Sequence, residues 1–143
     1  MTGYNKVFLD TTPLIYFLDN DDNFGDKTKS IFEEILNNEA TILSSVITCS
    51  EYLVYPYRTD NQEKIDVFFE FINACEIDLI PISVDIAKTA AKIRAEYKDF
   101  KAMDSLQLAV AILSGCDIFL TNDKQLRQFT ELKVVTVEEW QLS

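Results

Sequence analysis

Four acidic signatures follow one another along the chain: LDTTPLIYFLD around Asp10, ITCSEYL around Glu51, KAMDSLQLAVAI around Asp104 and FLTNDKQL around Asp123. Each carboxylate stands where a strand-like run ends or a helix-like run begins. A fold that collects these junctions at one edge makes a nest of negative charge. Two carboxylates about 4 Å apart repel by roughly 4 kcal/mol at an effective dielectric near 20. Four together push some pKa values upward or require a cation. The pattern reads as a metal site.

The runs between the signatures alternate. Lys6 to Leu9 is β-rich, and Thr11-Thr12-Pro13 turns into a helix, with proline favoured at the first helical position. Asn20 to Asp26 reads as a loop. Helical spacing covers Lys27 to Leu36, Gln62 to Ala74 and Val84 to Tyr97, and a further helix runs from Thr48 to Tyr55, ended by Pro56. Ala102 to Leu113 is apolar almost all round, as a buried helix is. Strands fall at Ala40 to Leu43, Ile77 to Ile82 (with Pro81 marking an end or an edge), Ile118 to Leu120 and Lys133 to Val135, with a short helix over Lys124 to Phe129. Such alternation predicts an α/β fold with a mostly parallel sheet covered on both faces. No repeat or linker interrupts it, so residues 1–143 are expected to form one domain.

The residue types narrow the chemistry. The chain has no histidine, which removes Ser-His-Asp and Cys-His catalysis and His-ligated zinc. Cys49, Cys75 and Cys116 are odd in number, widely spaced and set among apolar neighbours, so they read as reduced core thiols. Carboxylate oxygens alone suit hard ions, Mg²⁺ or Mn²⁺, which activate water and stabilise a leaving oxygen in phosphodiester hydrolysis. The hydroxyls of Thr11 and Thr121 and the amide of Asn122 are candidates to orient the ligands. Taken singly, Asp10 and Asp123 also suit helix caps, and Glu51 a solvated helix face.

The ordered set resembles the PIN domain family, particularly toxin ribonucleases of the VapC type. The resemblance runs from Val7 to about Val137 on the four quoted motifs, with every acidic position filled. It implies a three-layer α/β/α sandwich with a central, mostly parallel sheet. It further implies that Asp10, Glu51, Asp104 and Asp123 are metal-coordinating catalytic residues of an Mg²⁺- or Mn²⁺-dependent endoribonuclease. One or two ions, 5′-phosphate and 3′-hydroxyl products, homodimerisation and a cognate antitoxin belong to the same implication. Thr12-Pro13 departs from the serine or asparagine often found shortly after the first aspartate.

A formal net charge of −11 speaks against a protein that coats nucleic acid by charge alone. The candidates for phosphate contact are Arg94, Lys98 and Lys101, at helical spacing ahead of Asp104, and Lys124 just after Asp123. Tyr52, Tyr55 and Tyr57 cluster after Glu51, and one ring of Phe68, Phe69 and Phe71 cannot share the face of the others. No segment has the roughly 18 consecutive apolar residues of a membrane span, and the first residues lack a signal-peptide pattern, so a cytoplasmic protein is expected. Three alternatives stand beside the ribonuclease: a catalytically silent interaction module, a nuclease acting on DNA or in RNA processing, and a phosphoacceptor domain of the receiver kind. The last needs a lysine where the chain has Leu120-Thr121-Asn122-Asp123.

Overall fold

A computed structural model describes residues 1–143. Five strands form one sheet: β1 (Lys6–Leu9), β2 (Thr41–Ser45), β3 (Asp78–Ile80), β4 (Ile118–Thr121) and β5 (Lys133–Thr136). Their order is β3-β2-β1-β4-β5, and every neighbouring pair is parallel. Six helices cover the faces: α1 (Thr11–Leu18), α2 (Gly25–Asn37), α3 (Val46–Arg58), α4 (Gln62–Ala74), α5 (Val84–Glu96) and α6 (Ala102–Leu113). A 3₁₀ helix spans Lys124–Gln128. No helix is long and apolar enough to cross a membrane.

Strand alternation divides the core in two. Val7, Leu9, Ile42, Ile118 and Leu120 face one layer, where they meet Leu14, Ile31, Phe32, Ile35, Leu53 and Phe68 of the first four helices. Phe8, Leu43 and Phe119 face the other, against Ile86, Ala90 and Ile93 of α5 and Leu108 to Ala111 of α6. Phe8 and Phe119 stack with centroids 5.1 Å apart, locking β1 beside β4. Central strands buried on both faces need apolar side chains throughout, which is why β1 and β4 read as continuous runs. The result is a three-layer α/β/α sandwich, and its sheet is wholly rather than mostly parallel.

Several sequence-based boundaries move. Pro56 does not end its helix: α3 runs on to Arg58. A proline removes one N–H, and the turn after it stays bonded, with Thr59 N donating to Tyr55 O and Asn61 N to Pro56 O. Pro13 is the third helical residue, because Asp10 starts the helix at Thr11. α2 begins inside the expected loop. β3 is shorter than Ile77 to Ile82, since Ile77 N is committed to Ile72 O at the end of α4 and Pro81 has no N–H to offer.

Strand order decides where a ligand can sit. From β1 the chain moves outward through β2 to β3, then returns to the other side of β1 for β4 and β5. The switch lies between β1 and β4, and crevices open beyond the carboxyl ends of strands at such a point. Asp10 follows β1, and its N–H donates to Leu120 O of β4 at 3.0 Å. Asp123 follows β4 after Asn122.

Candidate active site

A cavity of about 580 Å³ opens at this switch point, lined by Asp10, Thr11, Glu51, Asp104, Asp123 and Lys101 among others. All four carboxylates singled out in the sequence face it. They arrive from different elements: the start of α1, the second turn of α3, the first turn of α6 and the cap of the 3₁₀ helix. The capping role also holds for two of them. Asp10 accepts from Thr11 N at 2.9 Å, and Asp123 accepts from Gln125 N at 3.0 Å. Asp104 is not a cap; Lys101 occupies that position, without a side-chain bond.

Asp10 is the fixed point of the cavity. It is 8% exposed, and its Oδ2 accepts from Thr121 Oγ1 at 2.8 Å. Gln107 Nε2 approaches its Oδ1 at 3.4 Å. Burial pushes its pKa up to about 6; the bonds from Thr121 and Thr11 oppose the rise, and the charges of Asp104 and Glu51 add to it. Asp104, half-buried, is raised by burial first and then by Asp123, with Lys101 opposing. Glu51 and Asp123 are exposed. Glu51 is nevertheless held, because Thr11 Oγ1 donates to its Oε1 at 2.6 Å.

Behind these groups lies a buried polar network that the sequence reading did not assign to the site. Gln107, 1% exposed, donates to Thr48 Oγ1 at 2.8 Å and accepts from Ser45 Oγ. Thr48 Oγ1 in turn lies 3.2 Å from Thr11 Oγ1. A hydroxyl has one proton. With Thr11's given to Glu51 in the shorter contact, Thr48's is free to bridge to Thr11. The chain Gln107–Thr48–Thr11–Glu51 thus joins α6 to α3 and α3 to α1, and Gln107 ties it to Asp10. The available signal was a glutamine in an otherwise apolar helix, three residues after Asp104, since a buried amide must find partners.

The other candidates are scattered. Thr11 and Thr121 orient carboxylates. Asn122 turns aside, donating to Tyr16 Oη at 2.6 Å. Lys101 lines the cavity, whereas Arg94, Lys98 and Lys124 do not. Lys124 pairs with Glu138 at 3.3 Å. Tyr52 is buried; Tyr55 and Tyr57 are exposed. Phe69 is the exposed ring of its trio, set edge-on against buried Phe68.

The donor set suits a hard divalent ion, with four carboxylates, no nitrogen or sulfur ligand, and one ammonium to balance them. As placed, no three of the acidic groups surround a single point. A common ion would therefore need the outer carboxylates to approach Asp10, which its donors hold still.

A family model described as PIN domain matches residues 7–132. No curated protein sequence matches the chain. Among solved structures, a toxin–antitoxin complex from Klebsiella pneumoniae is similar with a TM-score of 0.73 and 24% identity, over 94% of this chain and 99% of that one. VapBC2 from Rickettsia felis, bound to a DNA fragment from its promoter, gives 0.73 and 19% over 92% and 98%. VapC20 from Mycobacterium tuberculosis, a sarcin–ricin loop cleaving toxin, gives 0.65 and 14% over 89% and 98%. At these identities the likeness is one of fold.

Proposed function

This chain belongs to the PIN domain family, and we propose that it is an Mg²⁺- or Mn²⁺-dependent endoribonuclease, the toxin of a toxin–antitoxin pair. The observation that carries the reading is the single cavity shared by Asp10, Glu51, Asp104 and Asp123 with one lysine. We take residues 1–143 as one nuclease domain. The likeness to toxin–antitoxin complexes supports a cognate antitoxin, and a homodimer belongs to the same reading.

The four carboxylates are the residues that would hold the ion. When bound, a divalent cation supplies the charge that makes a water nucleophilic near neutral pH and stabilises the leaving oxygen. The chain's own groups do the rest. Thr121, Thr11 and Gln107 keep Asp10 aimed into the cavity, and Thr11 sets the angle of Glu51. Lys101 offers its ammonium to a non-bridging phosphate oxygen. Because one ammonium faces four carboxylates, the cavity by itself repels a phosphate, and a bound cation would offset that repulsion. With no imidazole, the proton of the attacking water passes to a carboxylate or to solvent. Water is the nucleophile, so no covalent enzyme intermediate forms; 5′-phosphate and 3′-hydroxyl product ends are what the resemblance to the family implies.

End-labelled RNA incubated with Mn²⁺, with chelator and with Asp104→Asn tests the reading. Cleavage is expected with Mn²⁺ alone, and the substitution should slow it at least about a hundredfold, the scale of losing one transition-state stabilising group. Cleavage that survives chelator and substitution would sink the proposal, and cleavage confined to DNA would replace the substrate.

A further inference from the structure

A second, smaller cavity adjoins the first, and we infer that it holds one unpaired guanine base of the RNA beside the scissile phosphate; the inference rests on the ribonuclease reading above. This cavity, about 210 Å³, lies between α1, α3 and α4, and shares Ile15 and Glu51 with the carboxylate cavity. A group seated in it therefore neighbours the reacting bond. It is smaller than the roughly 300 Å³ at which pockets for drug-sized ligands begin, which suits a single ring system.

Its walls have the parts of a base site. Tyr55 lies four residues after Glu51, on the same face of α3, and is 63% exposed. An exposed ring next to a phosphodiester site is a stacking platform for an unpaired base. Lys64 Nζ stands 5.9 Å from the centre of that ring and 3.3 Å from Asp19 Oδ1. Asp19 is fixed by the hydroxyl of buried Tyr52, which donates to the same Oδ1 at 3.0 Å. Both donors fall on one oxygen, so Oδ2 keeps its accepting capacity.

Charge and pattern select the occupant. Asp19 and Glu51 repel a phosphate, so this cavity takes a neutral group. Lys64 and Asp19 present a donor beside an acceptor. Guanine offers the complementary edge, the O6 acceptor followed by the N1–H and N2–H donors. Uracil matches only in part, because its second carbonyl would face the carboxylate. Adenine and cytosine each offer one acceptor beside one donor on that edge, N1 with N6–H and N3 with N4–H, and lack the second donor with which guanine spans both oxygens of a carboxylate.

The test uses fluorescein-labelled hexauridylates carrying one guanine, adenine or cytosine at each position in turn. Binding is followed by anisotropy in Ca²⁺, and cleavage in Mn²⁺. Guanine at one position should tighten binding about tenfold or more, the scale of one stacked base. Tyr55→Ala and Asp19→Asn should each remove that preference, and Tyr55→Phe should retain it, while the Mn²⁺-induced rise in melting temperature persists in all three. Binding indifferent to the base, or a guanine preference that survives both substitutions, overturns the subsite. Guanine-dependent binding without Mn²⁺-dependent cleavage leaves the subsite standing and removes the ribonuclease reading instead.

Discussion

Asp10 and Asp123 follow adjacent parallel strands, each caps the helix after it, and both line the same cavity, yet they differ in nearly everything else. Asp10 is buried beneath three donors. Asp123 is exposed, with its capping bond as its only side-chain bond. The same contrast divides the cavity. Its inner wall (Asp10, Thr121, Gln107, Thr48 and Ser45) is buried and bonded throughout, whereas its outer wall (Glu51, Asp104 and Asp123) is more exposed and carries at most one side-chain bond per carboxylate. A rigid anchor with adjustable partners is an economical way to hold an ion through a reaction, because only the outer ligands need reorganise.

The sharpest way to break this contrast is to cut the inner network. Gln107→Leu should cost about 4 kcal/mol in urea unfolding, because the hydroxyls of Ser45 and Thr48 lose their partner in a buried setting. A loss near zero would mean that the inner wall is not locked. Next comes the pH dependence of the metal-free protein. Asp10 has a folded pKa near 6 against an ordinary value of 3.8. Its contribution to stability is full below the ordinary value and is lost as the pH rises through about 6, a swing of about 3 kcal/mol. Glu34, Asp117 and Glu139 are held low and slope the other way. The difference between wild type and Asp10→Asn, unfolded in chelator across pH 4 to 7, isolates Asp10; identical profiles would remove the charge from the account. Thr11→Val should be milder, at about 2 kcal/mol for its two bonds to Glu51 and Thr48, and should loosen Glu51 enough to weaken Mn²⁺ binding in calorimetry. The smallest effects belong to the outer wall. Asp123→Asn and Glu51→Gln should change stability by about 0.5 kcal/mol or less, since asparagine still caps and glutamine still accepts from Thr11, while cleavage falls steeply. Losses there as large as at Gln107 would erase the distinction between the walls.

The outer wall was more legible in the sequence than the inner one, and the reason is physical. Carboxylates at strand ends announce themselves by type and position. The network that fixes Asp10 consists of Ser45, Thr48 and Gln107, residue types that serve equally well as helix caps and surface groups. Only their burial makes them part of the site, and burial follows from strand order. The amphipathic helices were readable because their stripes survive any packing; α4 begins and ends where its spacing predicts, and α6 does so as an apolar run. Helix ends were harder. α1, α2, α3 and α4 are followed by left-handed Asn20, Glu39, Asp60 and Glu76 rather than glycine, so the usual stop signal was missing. Pro56 misled in the opposite sense, as a stop signal inside a continuing helix. Among the basic residues, helical spacing grouped Arg94, Lys98 and Lys101, but α5 ends at Glu96 and only Lys101 reaches the cavity.

The double duty of Asp10 has an evolutionary corollary. One carboxylate begins α1 and also carries a charge that the fold holds at a loss in its pocket. Selection for persistence alone, without metal or substrate, would replace it with a neutral capping residue and gain a sturdier protein. A lineage that keeps this aspartate is therefore trading durability for chemistry, and the trade would surface as a protein that survives best in the company of its ion.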